Sequence, residues 1–75
     1  MGPLGGGDVA LAVDYATRAA RRATAIEAWE DAIPHFERAL QAMELLASPD
    51  TAQRIDLLIE LGSACLLYTS DAADE

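Results

Sequence analysis

Apolar residues recur at spacings of three and four along three stretches of the chain, the period of an α-helix with one buried face. Val9, Ala12, Val13, Ala16, Ala19, Ala20 and Ala23 make the first stripe. Asp14, Thr17, Arg18 and Arg21 fall on the other side, and Asp14 precedes Arg18 by four, a spacing that supports a helix locally. Asp8 stands just before the stripe as a helix N-cap. The second stripe is the clearest: Trp29, Ala32, Ile33, Phe36, Ala39, Leu40, Met43 and Leu46, with Glu30, Glu37, Arg38, Gln41 and Glu44 on its wet side. Pro34 interrupts it by removing the hydrogen bond to the Glu30 carbonyl, which costs ~3 kcal/mol in a helix interior, so this helix starts late or kinks. Ile55, Leu58, Ile59, Gly62 and Cys65 make the third stripe, broadened by Leu57 and Leu61. A mid-helix Gly62 costs ~1 kcal/mol relative to Ala and predicts another backbone passing close by.

The pattern predicts an all-α fold, an antiparallel helical hairpin followed by a third helix. The helices are expected at about 8–24, 27–47 and 51–66. Ser48, Pro49 and Asp50 form a stop and a turn, with Asp50 or Thr51 capping the third helix. The break between the first two helices is placed near Thr24 to Glu27, where no Gly or Pro marks it. Residues 1–7, MGPLGGG, read as a flexible leader: a misplaced start, a linker or a cloning remnant.

At 75 residues and 8.0 kDa there is room for one small domain, which excludes barrels, cofactor-binding α/β folds and multi-domain enzymes. Five basic residues, all Arg, face 13 acidic ones, for a net charge of −8. That balance argues against nucleic acid, where binding is dominated by neutralising phosphates, and against anionic membrane surfaces. An Ala- and Arg-rich composition without Lys is what GC-rich codons produce, which points to a GC-rich bacterial genome. Cys65 is the only cysteine, so no intramolecular disulfide or CxxC metal pair forms. No basic start leads into an apolar run, and the most apolar stretch, Leu57 to Tyr68, falls short of the ~20 residues a bilayer span needs. A cytoplasmic protein is expected.

No residue set carries chemistry. His35, the only His, has no Ser/His/Asp or Cys/His partners in pattern and reads as a surface or groove-lining side chain. Cys65 has no base near it in sequence to lower its pKa and reads as a small packed residue. Glu30, Asp31, Glu37 and Glu44 miss the Glu-x-x-His spacing of a di-metal site and read as a solvated face. Arg18, Arg21, Arg22 and Arg38 read as a solvated face with ion pairs; Arg18, Arg22, Arg38 and His35 remain candidate polar contacts of a groove. No enzyme activity, cofactor or metal is expected.

The second helix resembles the tetratricopeptide repeat, a 34-residue helix–turn–helix with small residues where its helices cross. Ala32, Phe36 and Ala39 stand at that motif's A-x3-F-x2-A spacing, and Ala16 and Ala20 where its first helix often carries Trp and Gly. Leu58, Leu61, Gly62 and Cys65 resemble the W-x2-L-G-x2-Y that opens a further copy. The two copies are 42 residues apart rather than 34, and the closing Pro is displaced to Pro49. The resemblance implies one and a half repeats of an α-solenoid, packed through Ala16, Ala20, Ala32, Phe36, Ala39, Leu58, Leu61 and Gly62. A narrower similarity joins Tyr15–Ala23, Ala32–Leu40 and Leu57–Ala64 to the helical-repeat arm of large bacterial signalling ATPases, including LuxR-type regulators with an AAA-like ATPase module.

Cys65 to Glu75 resembles a translated sequencing-library adapter more than a protein, so the natural chain is expected to end near Ala64. The resemblance implies a truncated protein–protein interaction scaffold, its partner a protein, a peptide or neighbouring repeats of a parent chain, with self-association through the third helix. The alternatives are a complete small acidic adaptor or oligomerisation protein and a three-helix DNA-binding domain. The latter is disfavoured because its recognition helix would carry one Arg, Arg54, against Asp56 and Glu60.

Overall fold

The computed structural model describes residues 6–73, which form three helices: α1 (Gly6–Ala25), α2 (Trp29–Met43) and α3 (Thr51–Ala73). No strand occurs among the described residues. The first five residues of the expected leader lie outside them. Gly6 and Gly7 belong to α1, so Asp8 sits in the first turn rather than at the cap. A carboxylate there faces the positive end of the helix dipole.

α1 and α2 pack through small residues. Val13, Ala16, Ala20 and Ala23 meet Ala32, Phe36, Ala39 and Met43 in one buried cluster. Ala20, Ala32 and Ala39 are fully buried, so the hairpin is built on methyl groups, with Phe36 and Met43 as its large side chains. Thr17, expected on the wet side, is buried in this interface. Its hydroxyl donates to the Val13 carbonyl at 2.7 Å, which satisfies the donor inside the helix and leaves the methyl for packing. The Asp14–Arg18 pair expected from the spacing forms at 3.1 Å.

The turn between α1 and α2 is a Schellman motif. Ala28 N donates to the Ala23 carbonyl and Glu27 N to the Thr24 carbonyl, both at 2.9 Å. The motif requires a left-handed residue, and Glu27 supplies it with φ 59°. Glycine ordinarily stands there because a Cβ costs ~1–2 kcal/mol in that region. Glu27 also places a negative charge at the negative end of the α1 dipole. Glu27→Gly is therefore expected to raise stability by about 1 kcal/mol, or roughly 4–8 °C in melting temperature for a domain of this size. A circular-dichroism melt checks it; an unchanged or lower midpoint would show that Glu27 makes a compensating contact.

Pro34 is the sixth residue of α2, so the helix begins five residues upstream of it and runs through. The first turn is closed by Asp31 N and Ala32 N donating to the Ala28 carbonyl. α2 ends at Met43 rather than near residue 47. Leu45 and Leu46 donate to carbonyls three residues back, the tightened geometry of a helix unwinding ahead of Ser48-Pro49. Asp50 caps α3, its Oδ1 accepting from Gln53 N at 3.2 Å. α3 continues through Ala73, beyond the expected end at 66. The stretch resembling an adapter is thus helical as far as Ala73.

α3 packs antiparallel on α2, and the face it uses differs from the expected one. Leu57 and Ala64 are buried, with Leu61 packed beside them. Leu58 is 45% exposed, and Ile55, Ile59, Gly62 and Cys65 are exposed as well. The physical reason is that α3 carries two apolar stripes about half a turn apart. The periodicity marks both, and contact with α2 selects the narrower one, whose Ala64 sits close to the hairpin. The expected close approach at Gly62 does not occur within the described chain: a Cβ there would meet nothing within 4 Å.

Candidate functional site

The candidate site is a pair of surfaces, one on each side of the α1–α2 hairpin. On the first, α3 lies across the hairpin and is tied to it by one ion pair. Arg21 Nε donates to Glu60 Oε1 at 3.0 Å and to Oε2 at 3.2 Å, and Nη2 donates to Oε2 at 2.6 Å. This fork holds the guanidinium above its ordinary pKa; the Glu60 hydrogen bonds contribute most, partly offset by desolvation, with the charges of Glu60 and Asp56 adding to it. The pair spans 39 residues of sequence and links α1 to α3. Both partners remain partly exposed, so solvent screens it. Arg21→Ala is expected to cost about 0.5 kcal/mol, with a loss that shrinks in high salt, read from urea midpoints at low and high ionic strength. A salt-independent loss of several kcal/mol would contradict this.

Beside that ion pair a small apolar cleft of ≈ 130 Å³ opens between α3 and the hairpin, lined by Trp29, Phe36, Ile59, Ala64 and Leu67. Leu67 lines this cleft together with Trp29, the first residue of α2, and α3 continues beyond it to Ala73. Leu66, Leu67 and Tyr68 are exposed there.

The second surface is the opposite side of the hairpin. An open cleft of ≈ 300 Å³ runs between α1 and α2, lined by Tyr15, Arg22, Ile26, Asp31 and His35. Arg22 and His35 of the expected groove contacts are here. His35 is half-buried, and its Nδ1 lies 3.4 Å from Arg38 Nη1. Arg18 is outside this cleft, engaged with Asp14. Tyr15 is 70% exposed and Ile26 76%, so the cleft has an apolar rim around a mixed-charge floor.

Of the expected packing positions, Ala16, Ala20, Ala32, Phe36 and Ala39 come together in the core. Leu61 packs at its margin, and Leu58 and Gly62 stand outside it. Cys65 is an exposed free thiol rather than a packed residue. Arg21, expected among the solvated cations, instead makes the ion pair that ties α3 to α1. Its partner lies in another helix, and no local spacing announces such a pair.

No group of three or more His, Cys, Asp or Glu side chains that could hold a metal ion occurs among the described residues. No helix among them is long and apolar enough to cross a membrane. No protein-family model, curated protein or solved structure matches the chain.

Proposed function

We propose that the chain is a segment of a tetratricopeptide-like helical array that serves as a protein–protein interaction scaffold. The observation that carries this reading is α3. It is apolar on two sides, one closed against an Ala-lined hairpin and the other open, as for the first helix of a further hairpin. In a solenoid each repeat contacts only its neighbours and cannot bury its apolar face alone. The scaffold acts by presenting stacked helix faces to a protein, a peptide or adjoining repeats. The similarity to the helical arm of bacterial signalling ATPases suggests a parent of that kind, working in the cytoplasm; the ATPase and DNA-binding chemistry would reside elsewhere in it. A non-enzymatic role agrees with a surface of ion pairs and apolar clefts.

The test is to complete the hairpin. A short linker and an amphipathic helix with the A-x3-F-x2-A pattern are appended after Glu75. The scaffold reading predicts a rise of at least 10 °C in melting temperature, the scale of a few kcal/mol in a domain this small. An unchanged melt would contradict it, because an open repeat face gains stability from its neighbour.

A further inference from the structure

Leu58, Gly62 and Leu66 are exposed on the side of α3 away from its buried Leu57 and Ala64, with Ile55 and Ile59 at the margins, where each also borders a cleft toward the hairpin; Ile59 and Leu66 are 61% and 72% exposed. A contiguous exposed apolar stripe ordinarily marks an interaction surface. We propose that this outer face binds a second copy of the same chain, antiparallel and crossing at Gly62, to form a two-fold symmetric dimer. The proposal rests on the reading of α3 as an open repeat end: the second copy occupies the place of the next helix.

The register selects this geometry. Leu58 and Leu66 stand four residues either side of Gly62, Ile59 and Cys65 three, and Ile55 and Thr69 seven. A two-fold axis at Gly62 therefore sets Leu58 against Leu66 of the second copy and Ile59 against its Cys65, the self-complementary contact of a symmetric dimer. Gly62 gains a use at the crossing. The space its missing side chain leaves is empty within the described chain, and it lets two backbones approach.

Charge and area point to the same occupant. A chain of net charge −8 repels its own copies over most of its surface. From Leu57 to Ser70 the only charged residue is Glu60, which is turned to Arg21 and bound by it. A second copy crossing at Gly62 thus meets no like charge between Leu58 and Leu66, and the exposed Asp56 and Arg54 beside Ile55 carry opposite signs. The face is one short stripe of a single helix, so the pair buries an area at the lower end of specific interfaces. The dimer is accordingly weak and concentration-dependent.

Sedimentation velocity of the full chain, from low-micromolar to sub-millimolar concentration, is expected to show reversible monomer–dimer exchange. Leu58→Glu, at an exposed position, leaves the helical spectrum intact and abolishes the dimer. Gly62→Ala raises the melting temperature of dilute protein yet weakens dimerisation at least ten-fold, a pair of opposite effects that a passive surface would not give. Ile59→Cys, once oxidised, yields a covalent dimer through Cys65 of the second copy. The unsubstituted chain does not cross-link, because its two Cys65 residues lie about 9 Å apart along the helices.

A species monomeric at every concentration overturns the proposal. So does ready cross-linking of the unsubstituted chain, which would mean parallel packing, or a higher oligomer that Ile59→Cys fails to trap. If the chain is monomeric but the appended helix still stabilises it, only the dimer is wrong. If neither occurs, the open-repeat reading fails with it.

Discussion

Phe36→Ala is expected to abolish the cooperative unfolding transition. Phe36 is 1% exposed and is the largest side chain at the centre of the α1–α2 interface. Its neighbours are mostly alanines, which have no rotamers with which to fill the space. Large-to-small substitution at such a site costs ~3–5 kcal/mol. A core in a domain of this size rarely supplies more than ~3–5 kcal/mol in all. The two figures are comparable, so the variant is left with essentially no folded population. Phe36→Leu keeps most of the volume and is expected to cost about 1 kcal/mol and retain a sharp melt. Far-UV circular dichroism against temperature distinguishes the two. A cooperative transition in Phe36→Ala within a few degrees of the parent would mean that the hairpin core is not organised around this ring.

Leu57→Ala and Leu58→Ala are expected to differ by several-fold although the residues are adjacent and chemically identical. Leu57 is fully buried against α2, and its truncation costs ~2–5 kcal/mol. Leu58 is 45% exposed, and in dilute protein its truncation costs about 0.5 kcal/mol. Both changes have the same effect on helix propensity, so the difference reports packing alone. Urea unfolding of the dilute variants gives the two values directly. Equal losses, or a larger loss at position 58, would show that α3 is rotated about its axis relative to the arrangement described here.

How far the sequence could be read follows from where the information lies. The stripe in α2 is single and continuous, so its buried residues were legible one by one, from Trp29 to Met43. The Asp14–Arg18 pair was legible for the same reason, being local. α3 was not, because its pattern supports two faces. Which face turns inward is settled by contact with α2, which the periodicity of α3 does not encode. Thr17 was misplaced because its hydroxyl is satisfied by its own helix, so a residue that scores as polar packs as an apolar one. The turn at Glu27 carries no glycine to announce its left-handed backbone, and only the hydrogen bonds around it define the motif. The Arg21–Glu60 tie joins residues 39 positions apart and depends on the third helix crossing the first.

The central claim, that this is one piece of a longer helical interaction array, is tested most directly by reading the genomic DNA across codons 60 to 75 and beyond. The expected result is a reading frame that continues past Ala64 into a further amphipathic helix, one able to cover Leu58 and Ile59, with the Cys65–Glu75 codons foreign to the locus. A locus that encodes Cys65 to Glu75 and then stops would contradict it. The chain would then be a small helical protein in its own right, and the outer face of α3 would be its own docking surface.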